Sequence, residues 1–393
     1  MNSFSSFSDA PSFNFEKALK KAGIKPSFSL IKVTGSNGKS VTGSILSSLY
    51  FYNGYKVGLL LHHFSSLDDN LFFNNSPIPT SYIEEKLGKY NKIISKYNLS
   101  KFEVMSLIFF SYLEENKADI AIVELDEIYC QYQGYLDSFN EIASVLTSLA
   151  LDHTEELGST LSLIASSYAS NFALDSKIII PRLDDDIKKL LFDIAKSNKS
   201  SCYEVDSFFN YHLDSDSNFV FSYRPYGELK IASSSFFYLY DASLALETIT
   251  QTKAIFPVKK EKIEEALVNL IPLDEGIRKG NTIYSSASNV EALTMLARSL
   301  QTLSKGKRIH CLLSLHSNKN ISSVISYIAN VVSSLTFTRA NSNCRDEFGY
   351  SLYLDDYPYI DSPKEAYKKL SEEYPDDAIL VCGCHEIVEE LDK

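Results

Sequence analysis

The chain has 393 residues, 45% of them hydrophobic, and a formal net charge of −12. That apolar content excludes wholesale disorder, and the length suits two or three domains. The acidic balance excludes broad nucleic-acid binding, which needs a basic face, but leaves room for a small anionic ligand in a local basic pocket. In chain order, FSLIKVTG predicts a strand, SVTGSILSSLYFYNG a helix and YKVGLLLHH a strand. TSYIEEKLGKYNKIISKY predicts a helix with Thr80 as N-cap, and FEVMSLIFFSYLEEN another helix. ADIAIVELD and IASVLTSLALDH read as buried strands ending in acid, TLSLIASSYASNFA as a helix and SKIIIP as a strand. Such alternation predicts an α/β fold with a mostly parallel sheet covered by helices. FVFSYRPYGELKIASSSFFYLYDASLALETI breaks the rhythm and predicts short antiparallel strands leading into a helix. The alternation then restarts from TIYSS to DAILVCG, which predicts a second, smaller α/β domain. The expected boundaries are a first domain over 1–271, a hinge over 272–280 and a second domain over 281–393.

Six cysteines are scattered as Cys130, Cys202, Cys311, Cys344, Cys382 and Cys384. Cys382-Gly-Cys384-His385 has no second ligand pair at zinc spacing, so it reads as a strand end. The N-terminal MNSFSSFSDAPSF has neither the basic nor the apolar region of a secretory signal, and no apolar run approaches ~18 residues. The expectation is a cytoplasmic monomer with reduced thiols, with no membrane and no nucleic-acid partner.

Gly35, Ser36, Asn37, Gly38, Lys39 and Ser40 separate the first strand from the first helix. The spacing is shorter than G-x-x-x-x-G-K-[ST], yet the same physics applies. Glycines let the backbone approach a ligand, and the helix N-terminus offers free N–H groups and a positive dipole end. Lys39 supplies a point charge for phosphates, and Ser40 a hydroxyl for Mg²⁺. The alternative is an ordinary strand–turn–helix joint.

VTGSNGKS is similar to the V-x-G-T-N-G-K loop of the Mur ligases and of folylpolyglutamate synthase/dihydrofolate synthase. LTSLALDHTEELGSTLSLIA closely resembles the S-I-x-L-D-H-x-x-x-L-G-x-T-x-x-x-I-A stretch of the folate branch. ADIAIVEL, LHSNKNISSVISYIANVVSSLTFTRANSNCR and AILVCGCHEIVEEL resemble further landmarks of that branch, in the right order over nearly the whole chain. The resemblance implies a large P-loop ATPase-type domain followed by a smaller Rossmann-like domain, with catalysis in the cleft between them. It implies an ADP-forming ligase of folate and one-carbon metabolism. ATP phosphorylates an acceptor carboxylate, and the amine of glutamate displaces phosphate from the acyl phosphate. The implied substrates are ATP, glutamate and a folate or related acid, with Mg²⁺ as cofactor. Carried over by position, Lys39 and the loop hold ATP phosphates, and Glu124 and His153 match Mg²⁺ ligands. Arg278 resembles the nucleotide-reaching arginine of the family hinge, displaced by one residue. Read without the family, Glu124 is a strand-end carboxylate, His153 a loop histidine and Arg278 a solvated hinge charge.

The family pattern is broken at several places. The metal-binding serine position is His62, a possible extra ligand favouring softer ions. The lysine that is carbamylated in the family aligns to Tyr168, with Lys177 as a candidate substitute. H-Q-x-x-N-A becomes FYLYDA, with Tyr238 and Asp241 at the Gln and Asn positions. D-G-A-H-N-P becomes SSASNV, leaving Asn289 as its nucleotide-facing residue. The segment that faces folate becomes HHFSSLDDNLFF, which introduces Asp68 and Asp69. Three readings stay open: a glutamate–folate ligase, a nucleotide-binding homologue with weak or no ligase activity, and a Mur-type ligase of a cell-wall precursor. The serine directly after Lys39 favours the last, and LDHTEELGSTLSLIA favours the folate branch.

Overall fold

In a computed structural model the described residues are 7–8, 10–62, 68–125, 127–130, 135–136, 138–270, 273 and 276–392. They group into two units. One comprises Met1–His212, Val220–Ala232 and Asp241–Ile271; the other comprises Leu213–Phe219, Ser233–Tyr240 and Pro272–Lys393. Of the expected hinge, Pro272, Asp274 and Glu275 lie outside the described residues.

The first unit is built on eight strands: β1 (Ser29–Thr34), β2 (Val57–Leu60), β3 (Leu71–Phe73), β4 (Ser76–Pro77), β5 (Ile120–Glu124), β6 (Asn140–Leu146), β7 (Lys177–Ile180) and β8 (Ser201–Glu204). Their order is β4-β3-β2-β5-β1-β6-β7-β8. From β2 to β8 the pairing is parallel, and β3 and β4 extend one edge antiparallel. Every residue of β1, β2 and β5 is buried, because helices cover both faces of a parallel sheet. The helix Lys39–Tyr52 is itself buried from Ser40 to Tyr50. That is why it lacks the polar stripe of a surface helix.

Local chemistry sets the helix ends. Ser100 and Glu103 form a reciprocal capping box at the start of Lys101–Glu115. Thr80 is the first helical residue rather than the cap; Pro79 stands at that position without a side-chain cap. The strand expected to run to His153 ends at Leu146, and 147–153 leave the sheet.

A separate three-stranded sheet has the order β11-β10-β9, from β9 (Phe209–Leu213), β10 (Phe219–Tyr223) and β11 (Gly227–Ile231). Phe219, Phe221 and Tyr223 are buried at every second position of β10, as a half-buried strand requires.

The second unit carries β12 (Ile277–Lys279), β13 (Thr282–Ser285), β14 (Ile309–Leu313), β15 (Ser334–Phe337) and β16 (Ala378–Cys382). Their order is β12-β13-β16-β14-β15, parallel except for the β12–β13 edge pair. Among the described residues no helix is long and apolar enough to cross a membrane.

Candidate active site

In an open parallel sheet, ligands collect beyond the carboxyl ends of the strands, where the strand order reverses. In the first unit β1 lies between β5 and β6, so the loop from Gly35 to Ser40 leaves the centre of the sheet. Glu124 ends β5 on one side, and the segment after β6 lies on the other. Glu124 and His153 therefore follow two strands, β5 and β6, that lie on either side of β1.

That loop is pinned to the segment after β6. The Ser36 N–H donates to Ser148 O at 3.1 Å, and the Asn37 N–H to Ser148 Oγ at 2.9 Å. Thr147 Oγ1 donates to Asn37 O at 2.6 Å, and the Ala150 N–H to Ser36 Oγ at 3.0 Å. Gly38 precedes the helix at φ 81°, and a Cβ there would collide with the Asp241 carboxylate. Left-handed backbone costs an L-residue about 1–2 kcal/mol before any clash. Gly38→Ala is therefore expected to weaken nucleotide binding at least about tenfold, about 1.4 kcal/mol, with the circular dichroism spectrum retained. Unchanged affinity in titration calorimetry would refute a demand for glycine.

Lys39 Nζ donates to Gly35 O at 2.9 Å and forms an ion pair with Glu127, both side chains being mostly buried. Burial works against the ammonium charge, but Glu127, Tyr168 and Glu124 outweigh it and hold the pKa well above the ordinary lysine range. Ser40 Oγ donates to Glu124 Oε2 at 2.7 Å. Burial raises the Glu124 carboxyl above its usual range, against the pull of Lys39, Ser40 and the His62 N–H. The His62 ring packs edge-on against Phe102, with centroids 5.0 Å apart.

His153 caps the short helix Thr154–Leu157 in left-handed backbone, φ 47°, with Nδ1 3.9 Å from Glu156 Oε2. Among the described residues, the cluster whose ligand atoms all lie within 4.8 Å of one another is His316, Cys344, Cys384 and Glu386, which includes none of His62, Glu124 and His153. Tyr168 is buried, and its hydroxyl makes no well-aligned hydrogen bond. Burial, then Glu127, raise its pKa well above the phenol range. Lys177 starts β7, at the amino end of its strand, and lies over the Tyr203 ring. It is at the wrong end of the sheet to replace the family lysine.

Arg278 and Asn289 belong to the second unit. Arg278 donates to Gly280 O at 2.6 Å, Leu303 O at 2.6 Å and Asn281 Oδ1 at 3.3 Å, bonds that it would have to break to reach a nucleotide. Asn289 is the N-cap of the helix Val290–Leu303, with Oδ1 accepting from the Ala292 N–H at 2.9 Å. A good cap accounts for it without a ligand.

The donor set fits phosphate and a hard divalent cation in part. The start of a helix, a lysine, and the Ser40–Glu124 oxygens suit a phosphate–Mg²⁺ pair. Sequence reasoning missed Glu127, Thr147 and Ser148, which position the loop through contacts far apart in the chain. Asp241 was noticed only as a departure from the family pattern, without its place beside Gly38.

No protein-family model matches the chain. It is 22% identical to the dihydrofolate synthase/folylpolyglutamate synthase of Escherichia coli over 92% of this chain and 85% of that protein. It is 28% identical to the folylpolyglutamate synthase of Lacticaseibacillus casei, over 35% of this chain and 34% of that protein. The solved folylpolyglutamate synthase of Mycobacterium tuberculosis complexed with ADP superposes with a TM-score of 0.89 at 15% identity, over 99% of this chain and 96% of that one. At that identity the superposition establishes the fold.

Proposed function

We propose that the chain is a member of the folylpolyglutamate synthase/dihydrofolate synthase branch of the Mur ligase family and joins glutamate to a folate or pteroate with cleavage of ATP to ADP, a reading supported by its likeness to the Escherichia coli relative over most of its length and by its fold. The observation that carries this reading is the loop Gly35–Ser40 at the start of a buried helix, with Lys39 and the Ser40–Glu124 pair beside it. In this reading the acceptor carboxylate takes the γ-phosphoryl group of ATP. The amine of glutamate then attacks the acyl carbon, and phosphate leaves. The helix N–H groups and Lys39 hold the phosphates and stabilise charge where it develops. Ser40 and Glu124 are the residues to hold Mg²⁺, which when bound would neutralise the transferring group. His153 keeps the role of a separate ligand on the other side of the loop.

A second reading, nucleotide binding with weak ligation, is favoured by Tyr168. A buried phenol cannot be carbamylated, and it stands near Lys39 and Glu127. The deciding assay is ADP release by purified protein given ATP, Mg²⁺, glutamate and a panel of dihydropteroate and folates. Release with a folate acceptor supports the ligase. Nucleotide binding without release supports the second reading.

Folate affinity is expected to be about tenfold below that of the E. coli relative measured side by side, a difference of about 1.4 kcal/mol. Asp69 is exposed and adds negative charge to the segment that corresponds to the family's folate-facing one. His63 to Leu67 lie outside the described residues. Equal affinity in calorimetry would remove the altered segment from the specificity argument.

A further inference from the structure

Cys384 has acquired partners that no short spacing in the sequence announces. Three loops meet beyond the carboxyl ends of three adjacent parallel strands, with β14 in the middle and β15 and β16 at its sides. His316 follows β14, Cys344 follows β15, and Cys384 and Glu386 follow β16. One ligand atom from each of the four lies within 4.8 Å of all the others. Cys344 Sγ and Cys384 Sγ are 3.6 Å apart, and His316 Nε2 is 3.0 Å from both Glu386 oxygens.

These separations match a coordination shell. Two thiolates bound to Zn²⁺ at about 2.3 Å in tetrahedral geometry stand about 3.8 Å apart, and nitrogen and oxygen ligands at about 2.0–2.1 Å stand about 3.3 Å apart. A disulfide needs about 2.05 Å between the sulfurs, and both cysteines are free. We propose that His316, Cys344, Cys384 and Glu386 bind one Zn²⁺ ion in the second unit. Two thiolates, an imidazole and a carboxylate form a closed four-ligand set, which is the structural rather than the catalytic pattern. The soft sulfur pair selects against Mg²⁺ and Ca²⁺.

The surroundings are built to hold the ligands still. Both thiols are buried, while His316 and Glu386 are half-buried and give the ion a path in. Asn341 Nδ2 donates to Glu386 Oε1 at 2.9 Å, and Asn341 Oδ1 accepts from the Cys344 N–H at 3.2 Å. One amide thus orients two ligands, the supporting arrangement typical of metal sites. Arg345 ties the loops together by donating to Ser317 O at 2.8 Å and Lys319 O at 2.9 Å. At Gly383, φ 118°, any Cβ would collide with Ser314 O, so glycine is what lets the turn after β16 approach the loop after β14.

The test uses the full chain, purified reduced, freed of metal and reconstituted with Zn²⁺. About one equivalent per chain is expected by mass spectrometry of the metal. Co²⁺ should give the intense visible bands of a tetrahedral site together with thiolate charge transfer. Cys344→Ser and Cys384→Ser should each lower Zn²⁺ affinity at least about 100-fold, and Asn341→Ala about 10- to 100-fold. Cys202→Ser should change nothing. If the serine variants fail to fold, the wild-type Co²⁺ spectrum and protection of two thiols by Zn²⁺ still decide. A six-coordinate Co²⁺ spectrum, unprotected thiols, or a chain two hydrogens lighter through a Cys344–Cys384 disulfide would each overturn the proposal.

Discussion

Lys39→Ala is expected to remove measurable nucleotide binding and to lower ATP turnover by about 10³-fold, about 4 kcal/mol. Lys39 stands at the first turn of the buried helix, where its charge adds to the free N–H groups and the positive dipole end. Its present partners are Gly35 O and the Glu127 carboxylate, so a phosphate must compete with a carboxylate for the same ammonium. Removing Lys39 therefore has two consequences. The phosphates lose a cation, and Glu127 is left mostly buried with its charge unpaired, which repels anions and costs stability. Lys39→Ala combined with Glu127→Ala separates them. If affinity stays lost in the double variant, Lys39 binds phosphate directly; if it returns, Lys39 serves only to mask Glu127. Lys39→Arg should not restore activity, because a planar guanidinium does not replace a compact point charge in a short loop. Equal ATP affinity for wild type and Lys39→Ala in calorimetry would defeat the assignment.

What could be read from the sequence was local. The strand, glycine turn and helix from Ser29 to Tyr52 are contiguous, and apolar period and two glycines mark them without tertiary help. The second α/β unit was visible for the same reason. The helix Asp185–Ser197 carries a local signal of the same kind, with Ile187, Leu191 and Ala195 buried at four-residue intervals. The strand ending at Leu146 was overextended because LTSLAL is as apolar as a strand. Its hydroxyls instead turn to the Gly35–Ser40 loop, a contact no local pattern encodes. Glu127 lies 88 residues from Lys39 in sequence, and Cys344 lies 40 residues from Cys384. Spacing rules search short windows, so the zinc ligands looked like one orphan pair. Only one of that pair, Cys384, belongs to the cluster; Cys382 Sγ instead faces Ala287 O at 3.3 Å.

The largest stability effect is expected at a charge hidden within the first sheet. Lys32 lies in β1 and is 2% exposed. Its ammonium is 2.8 Å from Glu141 Oε2 of β6 and donates to Asn171 O at 2.7 Å. Glu141→Ala would leave that ammonium with one neutral acceptor in a water-poor interior, and breaking a buried pair from one side costs about 3–5 kcal/mol. Lys32→Met with Glu141→Leu removes both charges and fills the space with apolar atoms. Such replacements are often neutral or stabilising, so the double variant should recover most of the loss. The unfolding transition of the first unit can be recognised by its shift with nucleotide, since a ligand stabilises the unit that binds it. Denaturant unfolding of the two single variants and the double gives the coupling directly. A Glu141→Ala variant within about 0.5 kcal/mol of wild type would mean that water reaches the pair, and the argument from burial would fail. If the loss is confirmed, nucleotide affinity should fall with it. β1 delivers the Gly35–Ser40 loop, and a strand that frays at Lys32 cannot hold that loop against the hydroxyls of Thr147 and Ser148.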